Sequence, residues 1–86
     1  MSEDQEKEAK LKEFFERARK GVLKHLDQKG GFLNMSELHD YSLKTYFIQH
    51  QRFSIMMETF VDEELVSFDS STQDVLITDK GKEFIK

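Results

Sequence analysis

The sequence predicts an α+β fold in a single domain spanning residues 1–86. Three observations lead there. Apolar residues recur with a helical period as far as residue 63. Over residues 66–77 the period changes to the alternation of half-buried strands. Polar breaks, Lys29-Gly30-Gly31 and Asp69-Ser70-Ser71-Thr72-Gln73, separate the periodic runs. The order read from these is helix, short strand, helix, helix, strand, strand, helix. No internal repeat, low-complexity stretch or interdomain linker interrupts it.

The first helix is long and covers residues 5–28. Leu11, Phe14, Phe15, Ala18, Val22 and Leu26 fall on one of its faces. Ser2 and Gln5 have the spacing of a capping box. Residues 1–8 add nothing to a core and are expected to be dispensable or disordered. Glu13/Arg17 and Glu16/Lys20 are i,i+4 pairs in the favourable order, each contributing roughly 0.2–0.5 kcal/mol. Gly21 costs about 1 kcal/mol inside a helix and marks a bend or a close helix crossing. Gly30 accepts the left-handed conformation that stops a helix. Phe32-Leu33 is too short to stand alone, but can pair with a strand of the later hairpin. Asn34-x-x-Glu37 is a capping box that opens a short second helix, running to Tyr41 or Ser42. Residues 43–49 read equally well as a turn, an extension of helix two, or the start of helix three. The third helix runs from His50 to Glu63, with Phe53, Met56, Met57, Phe60 and Val61 as its apolar stripe. Met35 and these methionines are read as core packing. Val66, Phe68, Val75 and Ile77 are the inward positions of two strands. Thr78 caps a last helix from Asp79 to Lys86, which returns Phe84 and Ile85 to the core.

Composition limits the function. Apolar residues make up 37% of the 86 positions, enough for one small core. Below about 80 residues such a core rarely supplies more than about 3–5 kcal/mol, which favours association with a second copy. The absence of cysteine excludes disulfides, thiolate metal sites and thiol catalysis. No apolar run is long enough to cross a membrane, and residues 1–20 are too charged for a signal peptide, so no membrane association and a cytoplasmic location are expected. The net charge of −4 opposes a general nucleic-acid coat.

Glu63-Glu64-Leu65-Val66 at the exit of the third helix, and Leu76-Ile-Thr-Asp-Lys-Gly81-Lys-Glu-Phe84-Ile after the hairpin, carry a resemblance. With the element order, they resemble the winged helix-turn-helix domain of small bacterial and archaeal transcriptional regulators, over residues 20–86. Glu64 stands where the family usually has Gly, and the stretch from Leu38 to Leu65 is a few residues longer than the family's. The resemblance implies a three-helix core, a β-hairpin wing and here an extended N-terminal helix. It implies that the third helix enters the major groove and the wing meets flanking phosphates. By position, Gln49, His50, Gln51, Arg52, Ser54 and Ile55 would then face double-stranded DNA, with Lys44 and Thr45 at the turn. Ser70, Ser71, Thr72 and Gln73 would form the wing tip.

The residue chemistry is divided on this. Gln can bond adenine bidentately and Arg can do so with guanine, while Ser and Thr hydroxyls suit phosphate oxygens. Yet residues 34–66 hold two Lys/Arg against six Asp/Glu, a net of −4, while residues 1–33 sum to +1 and residues 67–86 to −1. The segment expected to face DNA is the most acidic, and a duplex binder gains affinity by neutralising phosphates. The expected function is DNA binding by a small dimeric transcriptional regulator. The alternative is a winged-helix module that binds a protein, a basic one, through its acidic segment. Leu11, Phe14 and Phe15 are the expected contacts between two copies. No enzyme, metal or cofactor is expected. His25, His39 and His50 lack a metal-binding spacing, Ser36, His39 and Asp40 lack a nucleophile elbow, and Gly30-Gly31 lacks the Lys-Ser/Thr of a phosphate loop.

Overall fold

The computed structural model describes residues 3–86, with side chains from Lys10 onward. The Ser2–Gln5 cap lies outside the described residues. The chain forms four helices and a three-stranded antiparallel sheet: α1 Glu3–Gln28, β1 Phe32–Asn34, α2 Met35–Tyr46, α3 His50–Asp62, β2 Val66–Asp69, β3 Asp74–Ile77 and α4 Asp79–Phe84. The fold is therefore α+β.

α1 ends at a left-handed turn. The Gly31 N–H donates to the Leu26 carbonyl (3.0 Å) and the Gly30 N–H to Asp27 (3.2 Å), with both glycines at φ near +90°. This six-to-one closure satisfies carbonyls that the helix leaves open. The chain then enters the sheet, where β1 pairs with β3, not β2, in the register Leu33 opposite Val75. β3 is central and β2 lies at an edge beside it. Asn34 caps α2 by accepting from the Ser36 N–H (3.0 Å), one position short of the spacing that a capping box uses. The Met35 N–H donates to the Gln73 carbonyl (2.8 Å), so the hairpin turn is tied to the start of α2.

α2 runs a full turn past Tyr41 and Ser42, because nothing in residues 43–46 breaks it and Tyr46 closes on α1. A Cβ at Gly21 would collide with the Tyr46 ring and hydroxyl, so Gly21 marks a close helix crossing. Phe47 ends the helix in the left-handed region (φ 57°). Glu64 does the same after α3 (φ 62°). The Leu65 N–H donates to Phe60 (2.8 Å) and the Glu64 N–H to Val61 (3.0 Å). Glu64 thus adopts a backbone conformation that glycine favours. Thr78 caps α4 as expected, accepting from the Gly81 N–H (3.0 Å), and α4 ends at Phe84. Gly81 has a packing reason too, since a Cβ there would run into the Leu65 carbonyl.

The core joins Ala18, Val22, Leu23 and Leu26 of α1 to Leu38, Ile48, Phe53, Met56, Phe60, Leu65, Val66 and Val75. Phe15, Phe84 and Ile85 pack against it half-buried. On α3 and β2 two expectations about apolar faces fail. Val61 is half-exposed, because the α3 stripe is wider than the surface that covers it. Phe68 is exposed as well, at the edge strand. Glu16 pairs with Arg19 (2.7 Å) rather than with Lys20. Arg19 is only 5% exposed, reaches Glu63 beyond α3, and lies over the Phe60 and Phe84 rings at 5.5 and 5.4 Å. It fastens α1 to the end of α3 and to α4.

Burial of α1 starts at Ala18. Before it, Leu11 and Phe14 are 52% and 44% exposed. At about 1.5 Å per residue the 26 residues of α1 span roughly 39 Å, most of the 46 Å length of the molecule. The turns of α1 before Ala18 are therefore covered only in part, along the Arg52–Ile55 flank of α3. Among the described residues no helix is long and apolar enough to cross a membrane.

Candidate functional site

α3 is short of partners at its start. Gln49 holds the N-cap position without a side-chain cap bond, and no carboxylate occupies the first turn. The first N–H groups of α3 thus meet no protein acceptor from a cap, an arrangement that suits an anion. Phe47 brings the chain into this end with its ring 83% exposed. A large aromatic side chain in the left-handed region and in water is unfavourable on both counts.

Lys44, Thr45, Gln49, His50, Gln51, Arg52, Ser54, Ser71 and Thr72 are all exposed. They do not form one uniform surface. Lys44 is held by Asp40 (3.0 Å) on α2. Arg52 lies with Ile55 on the flank of α3 that faces α1, where they share a shallow depression of about 300 Å³ with Leu11, Lys12 and Phe15. The first half of α3 thus gains a second cation, Lys12, from another element. At the hairpin tip the Ser71 hydroxyl donates to the Asp69 carboxylate (2.6 Å), as does the Ser71 N–H (3.0 Å). These bonds, the hydroxyl's first, hold the Asp69 carboxyl below the usual carboxylate range. Ser71 is therefore engaged within the turn, and Thr72 contributes more weakly to the same carboxylate.

On its other flank α3 borders a groove of about 680 Å³ that runs between α2, α3 and β2. Phe53, Met57, Val61 and Phe68 give it apolar walls. His39 and His50 stand at one end, packed edge-on with ring centres 5.6 Å apart, and the buried Nε2 of His39 meets no hydrogen-bond partner among the described residues. Glu58 and Asp62 line the other end, and no Lys or Arg lines the groove. Elsewhere along the exit of α3 the carboxylates are matched: Glu63 meets Arg19, and Glu64 meets Lys80 at 3.5 Å. Glu58 and Asp62 meet no cation among the described residues.

Leu11 and Phe14 of the expected dimer contact stay exposed, whereas Phe15 turns to its own core. Sequence reasoning missed Phe47, Lys12 and His39. Phe47 fell in the stretch whose structure the sequence left open, and the other two gain their setting only from contacts between elements. No three His, Asp or Glu side chains gather into a metal-binding group among the described residues. Comparison of the chain with protein-family models, with curated proteins and with solved structures found no match.

Proposed function

We propose that this chain is a winged-helix protein that binds double-stranded DNA through the N-terminal half of α3, as a small transcriptional regulator acting as a homodimer. In this reading β2 and β3 form the wing. The observation that carries it is the separation of charge along α3. Gln49, His50, Gln51 and Arg52 occupy the first turn, Lys12 stands beside Arg52, and the carboxylates begin only at Glu58. Glu58, the first carboxylate of α3, lies roughly 9 Å from Arg52 along the helix axis, and Asp62 roughly 15 Å. The second distance well exceeds the Debye length of about 8 Å at physiological salt and the first barely does, so Asp62 opposes a phosphate at Arg52 weakly and Glu58 somewhat more. The N-terminal residues of a recognition helix are those that reach base edges. With Lys44 held by Asp40, Lys12 and Arg52 provide about two phosphate contacts per copy, which predicts a log–log salt slope near −2.

Duplex titration by fluorescence anisotropy over a range of salt tests this. Affinity should fall with salt at about that slope per copy, and Arg52→Ala should reduce the slope by about one. Absence of binding to any duplex at low salt defeats the reading.

A second reading is favoured by the groove alone. Its apolar walls and paired carboxylates suit an apolar, basic protein segment, with the winged helix acting as an interaction module. Under that reading Arg52→Ala leaves binding unchanged, because Arg52 lies on the opposite flank of α3.

A further inference from the structure

Two surfaces of this molecule are unpartnered and opposite in chemistry. The first is the exposed flank of α1 that carries Phe14, with Lys10 one turn before it and Arg17 one turn after. Residues 10–20 hold five Lys/Arg against two Asp/Glu. The second is the α3–β2 groove, with apolar walls, two carboxylates and no cation in its lining. The α1 of the same chain cannot fill it, since that helix lies along the Arg52–Ile55 flank of α3, away from the groove.

We propose that the groove receives the Lys10–Phe14–Arg17 flank of α1 from a second copy, and that the two copies do this reciprocally. Phe14 enters between Met57, Val61 and Phe68, and the Lys10 and Arg17 charges meet Glu58 and Asp62. The dimensions agree. Lys10 to Arg17 is two helical turns, about 10 Å, and fits within the roughly 18 Å that the groove follows along α3 from His50 to Asp62, while Glu58 and Asp62 are about 6 Å apart along α3, within reach of the two long basic side chains on either side of Phe14. Helix-in-groove docking of an amphipathic face is a recurrent mode of recognition. The pairing also bears on the DNA reading, because it covers the two carboxylates of α3 that no cation among the described residues neutralises. The inference rests on the homodimer proposed above and specifies its geometry.

Sedimentation equilibrium of the full chain tests it with two charge-reversed variants, Lys10→Glu/Arg17→Glu and Glu58→Lys/Asp62→Lys. Each alone places like charges face to face and should weaken self-association about tenfold or more. An equimolar mixture of the two should associate again, because each helix then meets a groove of opposite charge. Both variants change exposed side chains, and far-ultraviolet circular dichroism should keep the wild-type helix signal. Should a reversed variant lose that signal, Glu58→Gln/Asp62→Gln replaces it and should also weaken association. Three results overturn the proposal: a mixture of folded variants that stays monomeric, groove variants that associate like the wild type, or a wild type that is itself monomeric. The second leaves a dimer intact if Leu11→Ala/Phe14→Ala still dissociates it, which identifies a contact between the two α1 helices. Only the third removes the dimer itself.

Discussion

At its C-terminal end α3 is held from several sides, and at its N-terminal end it is displayed. The exit closes on two backbone hydrogen bonds, with Glu64 in the left-handed region, Arg19 reaching Glu63, and Gly81 packed on the Leu65 carbonyl. The entrance has an uncapped first turn, an exposed aromatic residue before it, and a row of polar side chains in water. A helix needs one fixed end to present the other with defined geometry. The acidic residues of this segment fall largely on the fixed end, where two of them join ion pairs. The candidate recognition residues fall on the displayed end.

Substitutions at the two ends should therefore act differently on stability. The largest effect belongs to Gly81→Ala, whose added methyl group runs into the Leu65 backbone carbonyl, which cannot move aside as the neighbouring Ile77 side chain can. It should cost about 3 kcal/mol, read as a fall in the urea midpoint. Arg19→Ala should cost about 2 kcal/mol by the same measurement, through lost packing on Phe60 and Phe84 and the lost ion pairs. At the displayed end the sign reverses. Phe47→Gly should stabilise the protein by about 0.5–1 kcal/mol, because it relieves a left-handed aromatic residue that buries almost nothing. A loss of stability there would mean that the entrance is as firmly fixed as the exit.

The smallest effect is a pH dependence that belongs to the frame. His25 stacks flat on Tyr41 at 3.6 Å, between α1 and α2. Burial, and secondarily Lys29, hold its pKa below the ordinary histidine value. Below that ordinary value, about 6.5, the unfolded chain takes up the proton more readily than the folded one. Stability should accordingly be full above it and decline as the pH falls through the lowered folded value. His25→Phe should flatten thermal stability across this interval, and an unchanged slope would assign the dependence to another group.

Local chemistry made much of the frame legible. Gly30, Asn34 and Thr78 end or begin elements through bonds made within a few residues, and their roles are readable from composition alone. The pairing of β1 with the later hairpin was also within reach. The length of α2 was not, because its last turn is fixed by Tyr46 closing on Gly21, some 25 positions earlier in the chain. Periodicity marked Leu11, Phe14 and Val61 as apolar-face positions, but cannot say where the body that covers a face stops. Phe68 fails for the same reason at the sheet edge. The exposure of the nine candidate DNA contacts follows the register of α3 and the hairpin. Their unequal quality does not, since it comes from neighbours: Asp40 on Lys44, Asp69 on Ser71, and Lys12 beside Arg52.

The central claim is that the displayed half of α3 binds duplex DNA with Arg52 as a direct contact. Its most direct test is the salt dependence of duplex binding measured side by side for the wild type and Arg52→Ala. The account predicts weaker binding for the variant at every salt concentration and a log–log slope reduced by about one. Equal affinities and slopes for the two proteins, or no duplex binding by the wild type at low salt, would contradict it.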